Sequence, residues 1–369
     1  MKEKVAVFFG GVSCEHDVSI ITGMQAVLAL EKSQKYEVVP IYISHSGEFL
    51  TSETLKDVSK IKQFKDLSGK FKKVSFFAGS NQLFDITKRK IKPLGKISCA
   101  VLATHGESGE DGSLQGLLKL SKIPQTSGGI LSQSVGMDKE VSKNIAVLSG
   151  ANVLEYKKYS KSQSTTEILS EIDEKGEYPC VIKPNSLGSS IGVKLCENLS
   201  DVKSALDMAF LFSGEVLAER CALDFSELNI ACVKLDGVVE CSEVEKPKGW
   251  HEILTFEDKY ITKGKLKSAS SLKRECPANI SEELKNEIEK TAVKLYENFK
   301  LSGIVRFDFI YENEVLYFNE VNTIPGSLSN YLFASKYSFG NLLEKVIEEA
   351  KKREEEARKF EYLYSSSIF

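Results

Sequence analysis

At 369 residues the chain exceeds what one hydrophobic core usually organises, so two or three domains are expected. With 42% hydrophobic and 27% charged residues and a net charge of −3, its composition is that of a globular protein, and it lacks the positive field that nucleic acid or an anionic membrane would require. No apolar stretch approaches membrane-spanning length, and the run after Lys4 is too short, and too soon followed by Glu15, His16 and Asp17, to be a signal peptide.

Val5 to Phe9 predicts a buried strand closed by Gly10-Gly11, with Ser13 placed to cap a helix from Glu15 or His16 to about Lys32. Residues 37 to 43 predict a second strand, a strand-turn-helix-strand start that implies a parallel sheet. Residues 45–97 are lysine-rich and weakly patterned, an excursion without a defined prediction. A strand over 97–103 should lead to Thr104-His105-Gly106, followed by a helix over 114–120. Composition shifts at Met137-Asp138-Lys139, where a new helix starts. Strands at 180–183 and 191–195, a helix over 199–212 and a strand at 216–219 follow, and the alternation over 228–244 predicts antiparallel strands. Residues 246–276 lack periodicity, and a loop of that length inside a compact domain is usually functional, so a mobile lid is expected. Helices near 281–300 and 340–360 close the chain. The expected division is 1–136, 137–220 and 221–369. None of the eight cysteines forms a CxxC pair and the four histidines are far apart, so buried free thiols in a reducing cytoplasm are expected and no zinc site is suggested.

Arg306-Phe307-Asp308-Phe309-Ile310 and Phe318-Asn319-Glu320-Val321-Asn322-Thr323-Ile324-Pro325-Gly326 put a guanidinium, two carboxylates and an amide into two runs that otherwise read as buried strands. Burying charges costs several kcal/mol per ion unless they are paired, and oxygen ligands of this kind suit Mg²⁺ held together with phosphates. The turn residues Glu312, Asn313 and Glu314 predict a hairpin. A two-residue loop pairing 311 with 314 would turn Glu320 and Asn322 away from Asp308. A three-residue loop pairing 311 with 315 would set Arg306 across from Glu320 and Asp308 across from Phe318, with Arg306, Asp308, Glu320 and Asn322 on one face. Lys183-Pro184-Asn185-Ser186-Leu187-Gly188-Ser189-Ser190-Ile191-Gly192 offers small residues, hydroxyls and a lysine between two strands, a pattern suited to phosphate. The glycine-rich segments 10–16 and 105–112 follow strand ends, where open α/β sheets bind ligands.

Taken in order, GGVSCEHDVS at 10–19, HGESGEDGSLQG at 105–116, MDK at 137–139, VIKPNSLGSSIG at 181–192, DKY at 258–260 and RFDF…NEVNTIPG at 306–326 resemble the D-alanine–D-alanine ligases of the ATP-grasp superfamily over nearly the whole chain. The resemblance implies α/β and α+β architecture with an N-terminal parallel sheet, and ATP-driven joining of two D-alanines through a D-alanyl phosphate for peptidoglycan precursor synthesis. It implies that Glu15 holds the first ammonium group, linked through Ser189 and Tyr260 to the mobile loop. Lys139, Lys183, Ser190 and Lys259 are implied as nucleotide ligands, with Glu219 and Glu227 as the hinge and ribose carboxylates. Asp308, Glu320 and Asn322 are implied as Mg²⁺ ligands, two ions with Mn²⁺ as a substitute, which favours the one-face hairpin. Arg306 and the Gly326 N–H are implied as the oxyanion-stabilising pair and His105 as a second-substrate contact. Where the family often carries a serine for the acceptor carboxylate, this chain has Tyr331, followed by Leu332. A homodimer in the cytoplasm is the family expectation. The rival readings are a same-fold ligase with D-serine or D-lactate as acceptor, and a nucleotide-binding regulator without catalysis.

Overall fold

The computed structural model describes residues 2–57, 71–176, 178–247 and 274–360, together with the backbone of 261–262 and 265–266. Val5, Ala6, Val7, Phe8 and Phe9 are fully buried, as a central parallel strand covered on both faces should be. This strand, β1 (Glu3–Gly10), leads through the glycine turn into α1 (His16–Glu31) and the parallel strand β2 (Tyr36–Ile43). The N-cap of α1 is Glu15 rather than Ser13, whose hydroxyl oxygen instead accepts the Glu15 N–H at 3.0 Å. The excursion proves to be sheet: β3 (Phe49–Thr51), β4 (Lys72–Ser75), β5 (Gln82–Asp85) and β6 (Lys92–Lys96) extend it antiparallel from β2. β7 (Cys99–Leu102) pairs parallel on the other side of β1, giving the order β6-β5-β4-β3-β2-β1-β7.

Helices α2 (Ser113–Leu120), α3 (Ile130–Met137) and α4 (Lys139–Leu148) follow, and the Asp138 carboxylate caps α4 by accepting the Val141 N–H at 2.9 Å. After β8 (Asn152–Val153) comes a four-stranded antiparallel sheet. It is built from β9 (Tyr156–Ser160), β10 (Cys180–Pro184), β11 (Lys194–Cys196) and β12 (Glu215–Arg220) in the order β11-β10-β12-β9. Helices α5 (Thr165–Lys175) and α6 (Leu199–Ala209) cover it through Ile168, Ile172, Val202 and Leu206. Residues 191–193, expected in a strand, belong to the loop before β11.

The third sheet contains β13 (Ser226–Leu235) and β14 (Val238–Pro247). Between them and the next helix lie the short pair β15 (Ile261–Thr262) and β16 (Lys265–Leu266), then β17 (Arg274–Glu275). Helix α7 (Glu282–Asn298), β18 (Ile304–Glu312), β19 (Val315–Asn322) and α8 (Phe339–Ala357) complete the chain, and the sheet order is β17-β14-β13-β18-β19-β8. Leu342, Leu343, Val346 and Ile347 of α8 join the N-terminal core with Val5 and Phe8, so the last helix packs against the first sheet. Most of the segment expected to be a lid, including Lys259 and Tyr260, lies outside the described residues. All eight cysteines are free, but only Cys99, Cys180, Cys196 and Cys232 are buried; Cys14 and Cys276 are exposed. Among the described residues no helix is long and apolar enough to cross a membrane.

The β18–β19 hairpin follows neither expected register. Its loop has two residues, Asn313 and Glu314, both left-handed (φ 50° and 63°), with Glu312 paired to Val315. Continued without a break, that register would have put Glu320 and Asn322 on the face opposite Asp308. Phe309 pairs with Phe318 but Asp308 pairs with Glu320, so Asn319 is an extra residue, a bulge that flips the parity. Arg306 then faces Asn322 and Asp308 faces Glu320. The shared face that the sequence suggests is present, produced by a turn and a bulge acting together.

Candidate active site

Five segments of the chain converge on a cavity of about 80 Å³ lined by Glu15, His105, Glu110, Lys139, Gly188, Ser189, Arg306, Glu320, Asn322 and Gly326. Glu15 enters from the start of α1, His105 and Glu110 from the loop after β7, Lys139 from the first turn of α4, and the last four from the hairpin and the turn beyond it. A larger groove of about 330 Å³, between α8 and the β13–β14 turn, holds lysines and carboxylates such as Lys35, Asp236, Glu344 and Lys352 and contains none of these residues.

On one wall, the Ser189 hydroxyl donates to Glu15 Oε1, and Gly188 lies so close that a Cβ there would stand 2.8 Å from Glu15 Oε2. Ser189 and Ser190 are both left-handed (φ 54° and 57°), which folds the loop back over Glu15. The Ser13 hydroxyl donates to the His105 carbonyl at 2.8 Å, tying the two glycine segments together. Burial pushes the His105 imidazole down to about 4, so it is neutral near pH 7. Beside it Glu110 accepts the N–H groups of Gly106 and Ile324, each at 2.9 Å. Burial and the Glu15 carboxylate nevertheless push Glu110 up to about 8.

The opposite wall is the hairpin face. Arg306 donates through Nε and Nη2 to the two oxygens of Asp308 at 2.6 and 2.7 Å, and Asn322 Nδ2 donates to Asp308 Oδ2 at 2.9 Å. This two-point contact fixes the plane of the guanidinium. Asp308 and Glu320 face one another, and the Asn322 amide shares their side. The donor set is all oxygen, as Mg²⁺ prefers, and no third acidic, histidine or cysteine ligand completes a cluster among the described residues. Such a set fits an ion whose remaining ligands come from phosphates and water.

Between the walls Lys139 Nζ donates to the Leu187 carbonyl, and burial lowers its pKa against the pull of the Glu320 carboxylate. The Lys139 N–H donates to the Asn185 carbonyl at 3.1 Å, and the Asn185 amide donates to Asp138 at 2.9 Å, locking the loop onto the start of α4. Outside the cavity lining, Lys183 lies 2.7 Å from Glu219 Oε1 and Lys143 lies 2.6 Å from Glu219 Oε2. Burial would raise Glu219, but the two ammonium groups outweigh it and hold the carboxyl below its usual range. Lys143 itself is pushed by burial down to about 8. The cluster carries net positive charge beside Lys139.

Not every expected residue joins this group. Glu227 accepts from Asn229 Nδ2 at 3.3 Å, away from the cavity lining. The Tyr331 hydroxyl donates to Glu245 Oε1 at 2.9 Å while Arg274 stacks on its ring at 4.1 Å, so that hydroxyl is already engaged. The Leu332 side chain is buried in the N-terminal core, and its backbone N–H and carbonyl are bonded to Ser329 and Glu243. Sequence reasoning missed Lys143 and Glu110. Lys143 follows Lys139 by four positions on one helix and therefore shares its face, a signal that was available. Glu110 lies within the 105–112 segment but had no distinguishing partner until the fold brought Ile324 to it.

A family model for the N-terminus of D-ala D-ala ligases matches residues 4–128, and one for the C-terminus matches residues 145–348. A D-alanine–D-alanine ligase of Thermosipho melanesiensis is 34% identical over 348 residues, 93% of this chain and 92% of that protein. Among solved structures, the D-alanine–D-alanine ligase of Coxiella burnetii superposes with a TM-score of 0.81 at 24% identity, covering 97% of this chain and 96% of that one. The VanG D-Ala:D-Ser ligase of Enterococcus faecalis gives 0.78 at 27%, covering 95% and 100%. With both halves of the family model matched in order, and the cavity lined by residues of both, this chain belongs to the D-alanine–D-alanine ligase family and has its ATP-grasp fold.

Proposed function

We propose that the protein joins two D-alanines at the expense of ATP, in the cytoplasm, for peptidoglycan precursor synthesis. A carboxylate oxygen of the first D-alanine attacks the γ-phosphorus of ATP; the new O–P bond forms as the bond to ADP breaks. The amine of the second attacks the acyl carbonyl, loses a proton, and the C–O bond to phosphate breaks. The observation that carries this reading is the single cavity in which the Glu15–Ser189 wall faces the Arg306–Asp308–Asn322 wall.

Glu15 accepts the first ammonium group, with Ser189 holding the carboxylate in place. Lys139 and Lys183 meet the nucleotide phosphates, Ser190 adds a hydroxyl, and Lys143 holds Glu219 so that Lys183 stays oriented. Glu227 serves the ribose. Arg306, its plane set by Asp308, and the Gly326 N–H receive the charge that develops on the carbonyl oxygen; preorganised donors of this kind are worth about 3–4 kcal/mol each in comparable sites. Neutral His105 lines the acceptor half, where it cannot repel the attacking ammonium-derived amine. Asp308, Glu320 and Asn322 would hold Mg²⁺, two ions with Mn²⁺ as a substitute, which when bound neutralises phosphate charge. Lys259 and Tyr260 would reach the site from the lid of residues 246–276. The three units 1–136, 137–220 and 221–369 act as a homodimer's protomer.

Positive charge gathered at Lys139, Lys143 and Lys183 beside a complete oxyanion-stabilising set favours catalysis over passive nucleotide binding. The acceptor preference is tested by phosphate release against a panel of D-alanine, D-serine and D-lactate. The reading requires D-alanine to give the highest kcat/KM; a clear excess for either of the others would replace it with the corresponding ligase.

A further inference from the structure

Helix α1 contributes one side chain that two distant parts of the site share. Thr22 is buried; its hydroxyl oxygen lies 2.8 Å from His105 Nε2 and accepts the Ser327 N–H at 3.0 Å. Together with Glu110, which accepts the Gly106 and Ile324 N–H groups, this hydroxyl joins the loop after β7 to the turn after β19, whose residues are separated by more than two hundred positions in the chain.

That turn is unusual. Immediately after Gly326, three consecutive non-glycine residues, Ser327, Leu328 and Ser329, are left-handed, with φ of 54°, 46° and 44°. Side chains disfavour that conformation, so a run of three persists only where its surroundings hold it. Two anchors are visible. The Leu328 side chain is buried in the N-terminal core and its N–H donates to the Pro325 carbonyl at 2.8 Å. The other anchor is Thr22, on the N–H of the first left-handed residue, next to Gly326.

We propose that Thr22 is a positioning residue for the acceptor half of the site. One hydroxyl sets the tilt of the His105 ring and the start of the turn that aims the Gly326 N–H, so the separation of these two groups is fixed by a residue that touches no substrate. A rigid two-way contact of this kind suits an acceptor site, where a small displacement of either group misplaces the attacking amine. The proposal rests on the reading of His105 as an acceptor contact.

The test uses the full-length enzyme and initial rates of phosphate release, from which two apparent constants for D-alanine (donor and acceptor) and the ATP KM are obtained. Thr22→Val keeps the shape and removes the hydroxyl; Thr22→Ser keeps the hydroxyl; His105→Ala is measured alongside. The expected result is an acceptor constant raised about ten-fold in Thr22→Val, donor and ATP constants within about two-fold, and Thr22→Ser close to wild type. An unchanged acceptor constant in Thr22→Val, a parallel rise of all three constants, or a Thr22→Ser variant as impaired as the valine would overturn it. Should Thr22→Val fail to fold, Thr22→Ala is judged by the same criteria. An unchanged acceptor constant in His105→Ala would instead remove the reading of His105, a separate failure.

Discussion

Replacing Lys143 by methionine probes the buried charge cluster that sequence patterns did not announce. Lys143 Nζ and Lys183 Nζ stand 2.6 and 2.7 Å from opposite oxygens of Glu219, and none of the three side chains is more than 7% exposed. At an effective dielectric constant of about 20, each contact is worth roughly 6 kcal/mol of gross Coulomb attraction. Desolvating three ions costs several kcal/mol apiece, which offsets most of that gain. What matters is the asymmetry: removing one partner of a buried pair costs about 3–5 kcal/mol. Since Glu219 retains Lys183, Lys143→Met belongs near the lower end, about 3 kcal/mol. Glu219→Gln should cost at least as much, because two ammonium groups then lie together without a carboxylate. A double-mutant cycle of the two, followed by urea denaturation at pH 7, should give a coupling energy of about 2–3 kcal/mol. Because burial pushes Lys143 down to about 8, the coupling should fade as pH rises above that value and the ammonium loses its charge. Coupling below about 0.5 kcal/mol at pH 7, or coupling indifferent to pH, would refute the cluster as drawn.

Asp308→Ala and Glu320→Ala should each nearly abolish turnover while leaving the circular-dichroism spectrum in place, with Asp308→Ala melting lower because it leaves the Arg306 guanidinium without its carboxylate; activity within a few-fold of wild type in both would take the hairpin out of the active site. Tyr331→Phe should lower stability by only about 0.5–1.5 kcal/mol, since Glu245 loses one donor but keeps Asn229 and Arg274, and shift the acceptor constant little, because the hydroxyl is spent on Glu245; a large rise in that constant alone would show that the hydroxyl reaches the acceptor. Glu110 is pushed up to about 8 in the folded protein, so the stability it contributes is fully present below its ordinary 4.5 and is lost as pH rises through about 8. Glu110→Gln, neutral throughout, should therefore gain in unfolding free energy relative to wild type between pH 5 and pH 8, by up to about 1.4 kcal/mol per pH unit; a difference independent of pH would mean that Glu110 is ionised normally.

The strands and helices that build the sheets were legible because their apolar residues run long enough to declare a period, as in β1, β13 and α7. The excursion before β7 was not, because its four strands have three to five residues each and half-exposed faces that leave no pattern. Helix α3 escaped notice for a related reason: Ile130, Leu131, Val135 and Met137 are interleaved with serine and glycine. The hairpin teaches a narrower lesson. Counting residues predicted the right face from the wrong register, since the bulge at Asn319 adds one residue without any compositional mark. The orientation of Tyr331 was equally hidden, because it depends on Glu245 and Arg274, which reach it only through the pairing of β14 with β17. What chemistry alone signalled, oxygen ligands in a buried hairpin and a small-residue loop beside a lysine, survived into the structure as two facing walls.

The central claim is that the carboxylate of one D-alanine becomes phosphorylated between those walls before the second attacks. D-alanine carrying heavy oxygen in both carboxylate positions, turned over with unlabelled ATP and unlabelled water, tests it most directly, with the released phosphate analysed by mass spectrometry. The account predicts one heavy oxygen in each phosphate, in amounts equal to the dipeptide formed, and none when Asp308→Ala is used at the same ATP concentration. Phosphate free of label, released in step with dipeptide, would contradict it.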